Sequence, residues 1–169
     1  HDASNAVTVG GGIATFRIGD VSGDSENTVV VAFSLENGEL LWTTPLQVPP
    51  NTWPIQWATP ERLVELHWAD RAARTIVLDR RTGATIWRQE TPQVGGSGPI
   101  PSSLTVHGDL LVVHVGATFS VVSLEDGAER HRGETTGPLC IVGESLLVPR
   151  TDGLYAVDLT TISERRVMD

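Results

Sequence analysis

Apolar positions along this chain gather into short runs, broken every few residues by Gly, Pro, Asn, Asp or Thr. Ile76-Val77-Leu78 and Leu110-Leu111-Val112-Val113 are continuous, as strands are when both faces are covered. Other runs are more polar, such as Trp87-Arg88-Gln89, Glu129-Arg130-His131-Arg132 and Ser163-Glu164-Arg165-Arg166. Charge there suits an outer edge strand, where it discourages pairing with other chains. One segment competes with this reading. Thr59-Pro60-Glu61 followed by Leu63, Leu66 and Ala69 has the cap, first-turn Pro and apolar spacing of a helix.

A repeat decides against that helix. Gly38, Gly83 and Gly127 each close a turn after a β-branched run, at spacings of 45 and 44 residues. The turns are Glu36-Asn37-Gly38, Arg81-Thr82-Gly83 and Glu125-Asp126-Gly127, and Asn-Gly or Asp-Gly between apolar runs is a hairpin signal. Units of this length with several strands are the signature of propeller blades. Every unit divides alike. Strands are expected over 6–9, 13–18, 28–34 and 39–44, then 52–58, 62–68, 74–79 and 84–89. The third and fourth units give 102–107, 109–115, 117–123 and 128–132, then 138–142, 145–149, 153–158 and 163–168. The fold class expected is all-β: residues 1–169 form a single β-propeller domain or part-domain of four four-stranded antiparallel blades, near 1–47, 48–92, 93–134 and 135–169. Repeat register overrides local propensity at 62–68.

Aligned on the turn glycines, the units share the frame Ala-x-Asp-x-x-x-Gly-x-x-x-Trp. The first has Ala32, Ser34, Gly38 and Trp42, and the second Val77, Asp79, Gly83 and Trp87. The third has Val121, Ser123, Gly127 and His131, and the fourth Ala156, Asp158, Ile162 and Arg166. This frame resembles the repeat of pyrroloquinoline-quinone-type, quinoprotein-like propellers. Gly83-Ala84-Thr85-Ile86-Trp87 and Gly153-Leu154-Tyr155-Ala156-Val157-Asp158 carry it best. The resemblance implies that Trp42 and Trp87 lie flat between neighbouring blades, and that they and Gly38, Gly83 and Gly127 are structural. Enzymes of that family hold a quinone and a calcium ion on the axis, often against a vicinal disulfide. This chain has one cysteine and no lysine, so no such set can be carried over. It looks more like the members that work as assembly scaffolds, receptor ectodomains or sensors.

Rings of that family have seven or eight blades, and four repeats make half of an eight-bladed ring. Two blade faces would then be apolar and open to water. Three arrangements cover them: further blades of a longer protein, a second copy closing the ring as a homodimer, or closure of four blades alone. The chain starts His1-Asp2, which reads as a mature or excised piece.

Composition narrows the function. The formal net charge is −9, and all 12 cationic Lys/Arg positions are Arg. Without a basic stripe the chain is a poor nucleic-acid binder, and without lysine it has no Schiff base or phosphate-loop lysine. The abundance of Arg, Ala, Gly and Val fits a bacterial gene. No apolar stretch approaches the ~18 residues a membrane helix needs. Cys140 sits in Leu139-Cys140-Ile141-Val142 and is expected to be a buried thiol. An extracytoplasmic location is expected: periplasmic, secreted or at the cell surface.

Candidate sites concentrate on the face that carries interblade links and second-to-third-strand loops. Trp53 and Trp57 are extra to the frame and are the partner-contact candidates, set against a core-filling role. Asp20-Val21-Ser22-Gly23-Asp24-Ser25-Glu26 alternates oxygen ligands as a calcium loop does, with Asp20 and Asp24 the metal candidates, but Thr28 breaks that pattern and a polar turn fits better. His67, His107, His114 and His131 lack ligand spacing and read as structural. Gly95-Gly96-Ser97-Gly98-Pro99 fails as a nucleophile elbow. No catalytic or cofactor residues emerge. The function expected is a non-enzymatic module that binds a protein or peptide. The alternatives are a fragment of a quinoprotein-like dehydrogenase and a ligand- or calcium-sensing ectodomain.

Overall fold

The computed structural model describes residues 7–18, 28–48, 53–69, 72–92 and 102–168. Every element in them is a strand. Sheet 1 is β1 (Val7–Gly10), β2 (Ile13–Ile18), β3 (Thr28–Ser34) and β4 (Leu40–Leu46); sheet 2 is β5 (Trp53–Ala58), β6 (Arg62–Ala69), β7 (Ala72–Asp79) and β8 (Thr85–Pro92). Sheet 3 is β9 (Ser102–His107), β10 (Leu110–Val115), β11 (Thr118–Ser123) and β12 (Glu129–Glu134); sheet 4 is β13 (Cys140–Val142), β14 (Ser145–Arg150), β15 (Gly153–Asp158) and β16 (Ser163–Met168). Each sheet is an antiparallel meander in chain order. The chain divides into two compact units, His1–Pro92 with sheets 1 and 2 and Gln93–Asp169 with sheets 3 and 4.

Residues 62–69 are strand, so the helix signals at Thr59 are spent on a turn: its hydroxyl accepts the Glu61 and Arg62 amides at 3.3 and 2.9 Å. β6 pairs with both β5 and β7, and that pairing outweighs a local preference worth tenths of a kcal/mol per residue.

The repeat frame has a physical basis in the third hairpin turn. In sheets 1 to 3 the amides of Gly38, Gly83 and Gly127 donate to Ser34, Asp79 and Ser123 carbonyls at 2.8–2.9 Å. The side chain at that same position caps the turn. The Asp79 carboxylate accepts the Arg81 and Thr82 amides at 3.0 and 2.9 Å; the Ser34 and Ser123 hydroxyls accept the Glu36 and Glu125 amides at 3.2 Å. Only a short oxygen-bearing side chain reaches back in this way, which is why the frame demands Asp or Ser. Burial pushes the Asp79 carboxyl up, but its bonds from Thr82 and Arg81 outweigh that and hold it below its ordinary value.

The next residue ties the turn to the first hairpin. Leu35, Arg80, Leu124 and Leu159 amides donate to the carbonyls of Gly12, Glu61, Asp109 and Glu144 at 2.8–2.9 Å. In sheet 4 the turn survives with Ile162 where glycine stands elsewhere. Its φ is 56°, and its amide still reaches the Asp158 carbonyl at 2.7 Å. A β-branched residue in that region carries strain on the order of 1–2 kcal/mol. Ile162 offsets this by packing on the core of its unit.

Each unit has its own core between paired sheets. In the first, Val30, Ala32, Trp42 and Leu46 of sheet 1 meet Leu63, Ile76 and Leu78 of sheet 2. In the second, Val112, Phe119 and Val121 of sheet 3 meet Leu146, Val148 and Val157 of sheet 4. Full burial of such a side chain contributes about 1.5–3 kcal/mol. Central strands are covered on both faces: Val64 and Leu66 are as buried as Leu63 beside them. Cys140 corrects the expectation for it: the thiol is exposed. Strand alternation puts Ile141, not Cys140, on the core side of the three-residue strand β13.

Gly83 and Gly38 share a conformation, with φ of 73° and 75°, but not surroundings. A Cβ on Gly83 would meet Trp42 and Thr44 atoms at 2.6 Å, while one on Gly38 would meet nothing within 4 Å. Gly38→Ala should therefore cost only the backbone strain, about 1–2 kcal/mol. Gly83→Ala should add overpacking and lose about 2–5 kcal/mol in total. Urea unfolding of the two variants reads this difference; equal losses would mean that the Trp42 contact does not constrain the turn.

Candidate functional site

The joint between sheets 1 and 2 is built around a tryptophan. β4 carries Trp42 opposite Ala32 on the face that meets sheet 2. Its Nε1 donates to the Arg80 carbonyl at 2.9 Å, its ring covers Gly83, and the Thr44 hydroxyl donates to the Gly83 carbonyl at 2.7 Å. The flat indole can lie this close only because Gly83 has no side chain.

Arg80 completes the joint, and nothing in the sequence marked it. Its side chain is 1% exposed, and its guanidinium donates to the Thr59 and Ile13 carbonyls at 2.8 and 3.0 Å. One residue thus receives the indole through its backbone and ties both sheets through its side chain. Burial pulls the guanidinium below its ordinary value.

Further along the same joint is a buried polar group. Arg17 of β2 feels the Glu65 carboxylate of β6, and His67 lies beside Glu65 on the same strand; all three are at most 5% exposed. Gln56 Nε2 donates to Glu65 Oε1 at 2.5 Å, and His67 Nε2 stands 3.3 Å from Glu65 Oε2. Burial pulls Arg17 below its ordinary value, and the Glu65 carboxylate works against that. An arginine facing an acid neutralises it where a metal site would need open ligands. The group therefore reads as a charge pair that orders the joint.

The second unit carries a concave feature with apolar walls and a few polar points. A groove of about 550 Å³ opens between the β10–β11 turn and the link from β12 to β13. Ala117, Pro138 and Leu139 give it apolar walls, with Ser103, His114 and Thr136 as polar points. Thr135 pins the link across the two sheets. Its amide donates to the Ala117 carbonyl at 2.9 Å, and its hydroxyl is shared between the Gly137 and Pro149 carbonyls at 2.9 and 3.1 Å. Burial pushes the His114 imidazole pKa down, against the Gly116 carbonyl. As a neutral ring it donates from Nε2 to that carbonyl, 2.9 Å away, which makes Nδ1 an acceptor.

The sequence candidates scatter. Trp57, on β5, is 43% exposed. Trp53 pairs with Trp68 in the ladder, and its side chain lies outside the described residues. Asp20 and Asp24, and the whole calcium-like loop, also lie outside them. Trp87 is half-buried opposite Val77. His131, in the tryptophan position of sheet 3, contacts the Phe119 ring at 5.6 Å and has Nε2 3.2 Å from Glu164 Oε2. His107 reaches Glu144 at 2.8 Å. Among the described residues no group of three His, Cys, Asp or Glu side chains could hold a metal. The groove was missed because its walls are common residues that are made adjacent only by the pinned link.

Comparison with known proteins gives the architecture a family. The model of the family described as outer membrane protein assembly factor BamB, a pyrroloquinoline-quinone-type repeat, matches residues 25–163. No curated protein matches the chain. Among solved structures, a europium-containing methanol dehydrogenase aligns over 95% of this chain at 12% identity, with a TM-score of 0.57. The Dos1 propeller aligns over 88% at 12% identity and a TM-score of 0.55, and Hsv2 of Kluyveromyces lactis over 94% at 10% and 0.50. At these identities the likeness is one of fold: the sheets are β-propeller blades. The chain spans 41%, 40% and 45% of those three chains.

Two outcomes follow from this geometry. Trp42→Phe keeps most of the packing but leaves the buried Arg80 carbonyl without its donor, and should cost about 1–3 kcal/mol in urea unfolding. The second concerns pH. The folded His114 resists protonation, so below about pH 6.5 the unfolded chain takes up a proton that the folded chain does not, and stability falls as pH drops. His114→Gln should flatten that part of the stability–pH curve; an unchanged slope would show that other groups set it.

Proposed function

Because the chain belongs to the family described as outer membrane protein assembly factor BamB, we propose that it is a non-catalytic propeller scaffold that holds a protein or peptide partner. The observation that carries this reading is the groove of the second unit. Its apolar walls at Ala117, Pro138 and Leu139 suit alternate side chains of an extended segment. The Ser103 and Thr136 hydroxyls and the neutral His114 ring suit uncharged backbone groups rather than an ion. The role in assembly that the family description names fits a binding surface on a rigid frame. So does the composition: the chain's own residues supply neither a vicinal cysteine pair nor a lysine for a quinone. The same family description favours an extracytoplasmic location, and the partner is then a protein exposed there.

Peptide arrays probed with the purified chain test the reading. Extended uncharged peptides with alternating apolar residues should bind, and Leu139→Glu should weaken binding roughly tenfold or more by burying a charge in the groove wall. Pyrroloquinoline quinone and calcium added together should give no dye-linked oxidation of alcohols or sugars. Turnover under those conditions, with no peptide bound, would instead make the chain part of a quinoprotein-like dehydrogenase.

A further inference from the structure

Among the described residues that line the groove of the second unit, His114 is the one ionisable side chain. Register sets it beside Ser103 of β9 and Phe119 of β11, on the face turned to sheet 4. The residue is 3% exposed, and its Nε2 is committed to the Gly116 carbonyl at 2.9 Å. That bond fixes the neutral tautomer and leaves Nδ1 a bare acceptor. Nδ1 meets no donor among the described residues and is not sealed from solvent. The groove is where the ring opens.

We propose that His114 is the specificity determinant of this groove: its Nδ1 accepts a hydrogen bond from a backbone N–H of the occupant, so the groove selects a donor at that point and releases it when the ring takes up a proton. The proposal rests on the groove being the peptide site, and adds what the occupant must present there.

The other polar side chains of the lining do not discriminate. The Ser103 and Thr136 hydroxyls can rotate to donate or accept. The Thr135 hydroxyl is spent on the Gly137 and Pro149 carbonyls. A neutral imidazole whose N–H is already engaged can only accept. A carbonyl placed against it would leave two acceptors facing each other between apolar walls, an unmade hydrogen bond for both.

No charged side chain competes for the ring. Among the described residues no Asp, Glu or Arg lines the groove, and the neighbours in its row across sheet 3 are Ser103, Phe119 and Gly133. Glu134 pairs with Thr118, so it falls on the other face of that sheet. Farther along the joint, Glu164 of β16 takes up both His131 of β12 and Arg150 of β14, at 3.2 and 2.7 Å. Burial pulls the His114 pKa down and outweighs the Gly116 carbonyl, which keeps the ring neutral at pH 7. A donor on Nδ1 acts in the same direction, because a proton there must displace it. Affinity is therefore full above the ordinary imidazole value of about 6.5. It is lost as pH falls through the lower folded value, by up to about tenfold per pH unit.

The test uses the whole chain, labelled with ¹⁵N, and a capped Leu-Ala-Leu tripeptide. Its companions are depsipeptides in which each backbone N–H in turn is replaced by an ester oxygen. Binding is read from shifts of the Ala117 and Leu139 amides, and the ring from its own two-bond ¹H–¹⁵N spectrum. At neutral pH one ester should bind roughly tenfold more weakly than the parent. The His114 Nδ1 signal should move upfield when the parent binds. Parent affinity should fall in acid with its midpoint at the pKa that the ring shows by titration, while the amide spectrum remains that of a folded chain. His114→Gln keeps an oxygen acceptor that does not titrate, and should bind without the acid loss. Esters that all bind alike, an unmoved Nδ1 signal, or an acid loss that persists in His114→Gln would overturn the proposal. If Leu139→Glu still weakened binding, the groove would stand as the peptide site without it. Absence of binding, or binding that Leu139→Glu leaves unchanged, would remove both.

Discussion

Sheets 1 and 2 cover each other's apolar faces, and that burial depends on how closely their two backbones approach. Trp42 lying on Gly83 sets the distance. The indole is large and flat, so it covers wide area while keeping the sheets near enough for Val30, Leu63 and Leu78 to share a core. Its N–H has to find an acceptor in that dry place, and the Arg80 carbonyl is held there by the turn. Thr44 adds a second bond to the same turn, which orients the strand as well as the ring.

The turn is itself over-determined. A short oxygen-bearing side chain caps it, a residue with positive φ closes it, and the next amide reaches back to the first hairpin. These features recur in all four sheets, including the one where Ile162 takes the strained conformation. The hydrogen-bond pattern is therefore more persistent than the residue types that first reveal it. The joints are less uniform. The first unit uses an indole on glycine, whereas the second uses His131, tilted against Phe119 and close to Glu164, which Arg150 also holds at 2.7 Å. Replacing a packed ring by partly exposed charge trades apolar area for electrostatics that salt can screen.

The groove arises from the same connections. Thr135 has to satisfy carbonyls on both sheets of its unit, and in doing so it draws the link taut. Pro138 and Leu139 are left facing the β10–β11 turn across open space. A rigid frame with a small apolar recess suits recognition, where geometry is held in advance and little ordering entropy is lost on binding.

The four four-stranded sheets, their strand order and the turn positions were legible in the residues alone. Each depends on local chemistry: alternation along a strand, positive φ at glycine, an oxygen that caps its own turn. The β6 segment was legible only through the repeat, since its own residues favour a helix start. Tertiary structure decided the rest. Arg80 looks like a surface cation until two sheets bury it, and Cys140 sits in an apolar run until strand alternation turns it outward. Gln56, Glu65 and His67 share one face of sheet 2 through strand register, but only the joint brings Arg17 of sheet 1 to Glu65. The groove belongs to the same class. Its walls are ordinary residues whose meaning lies in which carbonyls Thr135 reaches, and no local pattern encodes a contact between separate strands.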